Sequence, residues 1–453
     1  MRPRPVSDVA EAVGGRLVGD DATVTSVATD SRMATPGSLF FALRGEHADG
    51  HDFVADAMAR GAIGVVVQRP VPEGPAVEVA DTARALLALA ADERARMPDA
   101  TVIAITGANG KTSAKDFTAA ILRAAFRTHA SPASFNNEIG LPLTLLGAPD
   151  GVEVIVAEMG ARRVGDVTLL CRVAGPDAAV VTNVGLAHME LFGSWEAIVE
   201  AAAEPIQALP DDGTAILNAD DAVARALARH TKARVVTFGV APHAEVRAEG
   251  VVLDETARPS FDLVTGGDRE RVELATPGEH MVSNALAAVA CGLSLGLSAA
   301  ESAAALKGVR VSRWRMETFT TATGVLVVND AYNANPESTA AGLKAARWMA
   351  REGRLAAVLG HMAELGSVSS EEHEKVGRLM VRLGVDRLVT VGEPARMIAG
   401  AAIREGALAQ DVASCDSPEE AAADIRGWAK PGDVVLIKGS RVVGLERVAE
   451  ALR

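Results

Sequence analysis

The chain has 453 residues, enough for two to four compact units at ~100–200 residues each, and 49% of them are hydrophobic, ample for several cores. A formal charge of −14 argues against a nucleic-acid partner, because phosphate backbones need a basic face. Three dispersed cysteines, Cys171, Cys291 and Cys415, suit neither a disulfide framework nor a zinc cluster, and no run of about 18 uncharged apolar residues is present to insert in a membrane.

The start, Met1-Arg2-Pro3-Arg4-Pro5, leads into Ser, Asp and Glu rather than an apolar run, which is a poor signal peptide; a cytoplasmic protein is expected. Over residues 1–98 short apolar runs alternate with turns: 38–43 reads as a strand, 52–60 as a helix, 63–68 as a strand and 81–96 as a helix, before Pro98 breaks the pattern. From Thr101 the rhythm becomes strand–turn–helix, with apolar runs at 102–105, 154–157, 178–182 and 215–217. Such alternation predicts a mostly parallel sheet covered on both faces. Residues 244–275 read as short β segments and 282–306 as two alanine-rich helices. The rhythm restarts near 310, with strands at 325–328, 355–359, 387–391 and 434–437, implying a second α/β unit. The divisions expected are 1–98, 99–308 and 309–453.

The first of the central strands runs into Thr106-Gly107-Ala108-Asn109-Gly110-Lys111-Thr112-Ser113, which opens a helix. Glycines let the backbone wrap a phosphate with its N–H groups, and the helix N-terminus adds partial positive charge. Lys111 is expected to neutralise β/γ oxygens and the Thr112 hydroxyl to bind Mg²⁺. Ile105 stands where the longer form of this loop has its first glycine, so this is the short G-x-x-G-K-T form. Glu158 ends the next apolar strand and His188 follows the turn after the third. Parallel sheets bind ligands at the carboxyl ends of their strands, so loop, carboxylate and histidine on successive strand ends suit metal ions around a phosphoryl group.

Together these features resemble the Mur ligase superfamily, and within it the branch that adds D-alanyl-D-alanine to a UDP-linked muramoyl tripeptide. The likeness runs through Asp30-Ser31-Arg32 and the stretch 39–46, then Phe135-Asn136-Asn137-Glu138-Ile139-Gly140 and Gly278-Glu279-His280-Met281-Val282-Ser283-Asn284. It continues through Arg313-Trp314-Arg315-Met316-Glu317, Asn329-Asp330-Ala331-Tyr332-Asn333-Ala334-Asn335-Pro336, Gly360-His361-Met362-Ala363-Glu364-Leu365-Gly366 and Lys438-Gly439-Ser440-Arg441. The resemblance implies three α/β domains: an N-terminal uridine-nucleotide-binding domain, a central P-loop domain with a mostly parallel sheet, and a Rossmann-like C-terminal domain. It also implies ATP and Mg²⁺ as cofactors and a UDP-N-acetylmuramoyl peptide and D-alanyl-D-alanine as partners; the sequence does not give the oligomeric state, for which a monomer is favoured. By resemblance Gly107 to Ser113 with Asn284, Arg315 and Asp330 bind ATP. Ser31 and Arg32 meet the uridine diphosphate, Asn136 and Asn137 the muramoyl peptide, and Asn333 and Asn335 order the closed site. Lys111, Glu158 and His188 are the catalytic set, with Thr112, Glu158 and His188 holding metal.

One further feature favours this branch and one pulls elsewhere. The diamino-acid-adding branch shows Asp-Asn-Pro-Arg in its last domain, and no such run occurs here. Relatives also carry a lysine, converted to a carbamate that helps hold a second magnesium, where this chain has Ala202. Glu200 or Glu204 stands near enough to substitute, although both also read as solvated helix residues. Another ligase of the superfamily, or a nucleotide-dependent binding protein that closes on precursor without ligating it, stays open on sequence.

Overall fold

The computed structural model describes residues 1–45, 48–72 and 74–453; Glu46, at the end of the 39–46 motif, lies outside them. Three main sheets follow one another along the chain. The first has five strands in the order Arg16–Val18, Ala76–Glu78, Gly64–Val67, Ser38–Phe41 and Ser26–Ala28. The four from Ala76–Glu78 onward are parallel, and Arg16–Val18 pairs antiparallel at the edge.

The second sheet has nine strands and sits at the centre of the sequence. Thr101–Thr106 lies inside it, flanked in parallel by Val154–Glu158 and Ala178–Val181. Val102, Ile103, Ala104 and Ile105 are all fully buried, as a strand covered on both faces must be. Side chains alternate across a strand. Ile103 and Ile105 therefore join Phe117 and Ile121 of the following helix in one core, while Val102 and Ala104 join Leu141, Ile155 and Ala157 in the other. The segment 244–275 extends this sheet with Val246–Leu253, Pro259–Thr265 and Asp268–Glu273, the last two antiparallel. The two alanine-rich helices are Met281–Ser294 and Ala299–Leu306.

The third sheet has six strands in the order Glu317–Thr320, Leu326–Asn329, Val434–Lys438, Leu355–Gly360, Arg387–Val391 and Val412–Cys415. All but the first pairing are parallel. This mostly parallel α/β architecture agrees with the sequence reading. The reading assigned nothing before residue 38, where the chain forms the helix Val6–Ala12 and four strands of two or three residues. Elements that short complete too little of either period to be seen. The expected strand 38–43 stops at Phe41, because Leu43 turns to accept a hydrogen bond from the Gly50 N–H.

Candidate active site

The carboxyl end of Thr101–Thr106 leads into the glycine loop, and the helix Lys111–Arg123 leaves it. Gly107 has φ +132° and Gly110 φ +84°, a backbone region that favours glycine. Space enforces the same choice. A Cβ on Gly107 would stand 2.1 Å from Thr182 Oγ1, and one on Gly110 would stand 2.1 Å from Asn284 Oδ1. The loop is braced from the neighbouring strand end: Thr182 Oγ1 donates to Asn109 O at 2.6 Å, and Asn183 Oδ1 accepts the Asn109 N–H at 2.8 Å.

Inside the loop Lys111 Nζ donates to Gly107 O at 2.6 Å, turned back on its own backbone. Burial pushes its ammonium below the ordinary lysine range; Glu158 pulls it back up and Arg315 pushes it further down. An anion in the loop would reverse that balance by replacing lost solvation with charge.

Glu158 is 1% exposed and ends Val154–Glu158. Its carboxylate accepts Thr112 Oγ1 at 2.8 Å and Asn136 Nδ2 at 2.9 Å, and its own N–H donates to Ser131 Oγ at 3.1 Å. Thr112, Asn136 and Glu158 thus form one connected group. Asn137 instead turns its side-chain oxygen to the Gly140 N–H at 2.9 Å, at the start of the helix Gly140–Leu146. What it leaves for a ligand is its amide NH₂.

His188 has φ +58° just before the short helix Met189–Phe192. Its Nδ1 is hydrogen-bonded to the carboxylate of Glu364, 176 residues away in the C-terminal unit. Burial pushes its imidazole below the ordinary histidine value, Lys111 pushes the same way and Glu364 pulls it back up. The Glu364 backbone oxygen also accepts the Glu190 N–H at 2.9 Å, so one loop grips both the histidine and the turn after it.

From the C-terminal unit Arg315 reaches Ser134 Oγ at 3.1 Å and lies 4.1 Å from the centroid of the Tyr332 ring. Asp330 accepts Lys438 Nζ at 2.5 Å, and the same ammonium donates to Asn333 O at 2.9 Å. Asn335 caps the helix Pro336–Ala350 through the Ser338 N–H and donates to Asn109 Oδ1 at 2.7 Å, directly onto the glycine loop. These groups line one cleft of roughly 1230 Å³ between the second and third sheets, together with Asn284 and His280. Ser31 and Arg32 lie apart from its lining. Ser31 is buried in the first unit, and Arg32 is held by Asp30, whose carboxyl it keeps down at about 2.

Several lining groups carried no role in the sequence reading, namely Asn183, Ser134, Tyr332, Lys438 and Glu364, and neither did Thr182, which braces the glycine loop. Tyr332, Lys438 and Glu364 stood inside visible motifs, but only the fold aims any of these groups at the loop. The expectation for Glu204 is corrected outright. It is 5% exposed, and its two carboxylate oxygens accept the Gly165 N–H at 2.5 Å and the Thr168 N–H at 2.6 Å at the start of the helix Asp166–Ala174. It is neither solvated nor free for a metal, whereas Glu200 is exposed as expected.

Among the described residues no group of three or more His, Cys, Asp or Glu side chains could hold a metal ion. A carboxylate and a hydroxyl bonded to each other beside a phosphate loop nonetheless fit magnesium. That ion prefers oxygen, keeps several waters and takes further ligands from phosphates.

Three stretches match family models in order: "Mur ligase family, catalytic domain" over 23–96, "Mur ligase middle domain" over 105–292, and "Mur ligase, glutamate ligase domain" over 314–441. The UDP-N-acetylmuramoyl-tripeptide–D-alanyl-D-alanine ligase of Mycobacterium tuberculosis is 42% identical, over 99% of this chain and 97% of its own. The enzyme of the same name from Bacillus subtilis is 35% identical over 100% and 99%. A crystal structure of MurF from Acinetobacter baumannii superposes with a TM-score of 0.89 at 29% identity, covering 100% of this chain and 99% of the other. MurF ligase from Thermotoga maritima in complex with ADP gives 0.82 at 29%, covering 95% and 97%.

Proposed function

The chain belongs to the Mur ligase family, and from that premise we propose that it joins a UDP-N-acetylmuramoyl tripeptide to D-alanyl-D-alanine, driven by ATP. The observation that carries the reading is the cleft, where a phosphate loop from the second sheet meets the 330–335 run of the third through the Asn109–Asn335 bond. The choice of reactants rests on the relatives of that name, which match along their whole length.

In this reading Gly107 to Ser113 surround the ATP phosphates, and Lys111 and Arg315 carry positive charge to them. Asn284 against Gly110 takes the adenine and Asp330 the ribose. Asn136 and Asn137 meet the muramoyl peptide, and Ser31 with Arg32 meets its uridine diphosphate end. Asn333 and Asn335 order the closed site. Thr112, Glu158 and His188 would hold magnesium, which supplies charge neutralisation when bound. The divisions proposed are 1–98, 99–308 and 309–453, supported by a separate sheet in each. Among the described residues no helix is long and apolar enough to cross a membrane. We place the reaction in the cytoplasm, which suits three free, buried cysteines.

The chemistry asks the protein for positioning and charge more than for covalent help. An oxygen of the peptide carboxylate bonds to the γ-phosphorus as the bond to ADP breaks, giving an acyl phosphate. The dipeptide amine then bonds to that carbonyl carbon, phosphate leaves, and a proton is released from nitrogen. Lys111 neutralises the transferring group, while Asn136 ties the peptide-facing loop to Glu158. ADP release measured with each reactant omitted in turn tests the reading. Turnover should require both the muramoyl peptide and the D-configured dipeptide; equal turnover with free L-amino acids would move the chain to another branch of the family.

A further inference from the structure

Among the buried charges of the described residues that serve none of the steps above, one stands beside the glycine loop. Lys115 lies one helical turn beyond Lys111 and is 2% exposed. An ammonium has three donors and no acceptor. Here two of them meet Ser131 O at 2.9 Å and Ala133 O at 2.7 Å, and Asp116 Oδ1 forms an ion pair at 3.0 Å. Two of the three partners are backbone carbonyls of one irregular segment, 131–137, which joins the strand Thr128–Ala130 to the helix Gly140–Leu146.

That segment touches the reacting region at three of its four polar residues. Ser131 Oγ accepts the Glu158 N–H, Ser134 Oγ sits 3.1 Å from Thr112 Oγ1 and accepts Arg315, and Asn136 donates to the Glu158 carboxylate. Between them Ala133 has φ +45°. A non-glycine residue stays in that conformation only where its surroundings over-determine it, and the ammonium gripping the Ala133 carbonyl is such a constraint. The neighbouring Asp116 extends the grip to the linker before the third sheet: its Oδ2 accepts the Ser312 N–H at 2.7 Å and Ser312 Oγ at 2.8 Å, three residues before Arg315.

We propose that Lys115 is a positioning residue for ligation, setting segment 131–137 so that Ser134 and Asn136 orient Thr112, Glu158 and Arg315 around the transferring phosphoryl group. It acts through backbone carbonyls, so no partner side chain reveals it. Asp116 carries the same register into the linker that bears Arg315. The inference rests on the ligase reading given above, but half of its test does not.

The test compares wild type with Lys115→Met, which removes the ammonium at similar length, and Lys115→Gln, which keeps two donors and buries no unpaired charge. Backbone hydrogen exchange by mass spectrometry, ADP affinity by calorimetry and ADP-forming turnover are measured on each. In Lys115→Met, exchange should rise ~10-fold or more in 131–137 while the glycine loop stays protected, and ADP affinity should hold within ~3-fold. Turnover should fall ~10²-fold, the scale of a small misplacement of reacting groups, with Lys115→Gln intermediate. If Lys115→Met does not fold, Lys115→Gln carries the test, with the same selective rise in exchange and a ~10-fold loss of turnover. A folded variant with a lowered thermal midpoint but wild-type turnover, or with exchange raised uniformly, would reduce Lys115 to a structural residue and overturn the proposal. Wild type that forms no ADP with both reactants would instead sink the ligase reading, and the exchange comparison would still decide whether Lys115 sets the segment.

Discussion

Lys111 and the three cysteines show how the same burial acts in opposite directions on different groups. Lys111 is pushed down by desolvation and stabilised by Glu158, so its ammonium is poised for an arriving polyphosphate. Lys111→Ala should keep a native circular-dichroism spectrum and lose ligation by ~10²-fold or more, comparable to removing a charge-stabilising donor. Near-normal turnover in the folded variant would take Lys111 out of the mechanism. Burial pushes the Cys171 and Cys291 thiols up to about 12. Thiolate is the reactive form, and a thiol with a raised value is less ionised at any pH below it. At pH 8 both should therefore be alkylated on the order of 10³-fold more slowly than an unperturbed thiol with a value of about 8.5. Timed labelling with iodoacetamide and peptide mass spectrometry checks this, and rapid labelling of either cysteine in the folded protein would contradict it.

The helix Trp195–Gln207 carries both an absence and a correction. Its Ala202 packs at the edge of a core where the family resemblance implies a lysine carbamate, and its Glu204 is spent on capping another helix. With neither group available, fewer anionic ligands remain for a second magnesium, which binds oxygen donors best. Turnover should need more magnesium than an Ala202→Lys variant does, and bicarbonate should activate only that variant. Rates against magnesium in degassed and supplemented buffers decide it; strong activation of the natural chain would mean that a lysine from elsewhere serves the site. Glu204→Ala should lower the thermal midpoint, removing two charge-assisted bonds worth roughly 2 kcal/mol together. It should leave the magnesium curve unchanged. A shifted curve would return Glu204 to the metal site.

The same helix shows where sequence reading stops. Glycine loop, strand-end carboxylate and asparagine run were legible because each is a local arrangement with its chemistry written in neighbouring residues. Glu204 was not, because its partners lie 36 and 39 residues earlier and a buried cap looks like any helical glutamate. Lys115 and Ser134 were hidden for the same reason, since backbone carbonyls and hydroxyls leave no pattern. The N-terminal strands were too short for any period. The longer apolar runs, by contrast, gave four strands in each of the second and third sheets, while Thr128–Ala130, Arg234–Gly239, Glu317–Thr320 and Val412–Cys415 went unassigned.

At the scale of the whole molecule, three of the polar contacts between the second and third units fall on site residues. His188 with Glu364, Asn109 with Asn335 and Ser134 with Arg315 each link the second unit to the third. The site is therefore built from both units together. Glu364→Ala, at a half-exposed position, should fold normally and bind ADP with near-wild-type affinity. Its turnover should fall at least ~10-fold, because His188 loses the group that orients it. Unchanged turnover would make the contact incidental to ligation. The central claim is that the peptide carboxylate itself attacks ATP. The direct measurement uses muramoyl tripeptide carrying heavy oxygen in its terminal carboxylate, with ATP and D-alanyl-D-alanine, followed by mass spectrometry of the released phosphate. One labelled oxygen should appear in each phosphate formed, since the carboxylate oxygen that bonds to phosphorus leaves with it. Phosphate free of label, alongside amide formation, would contradict the acyl-phosphate account.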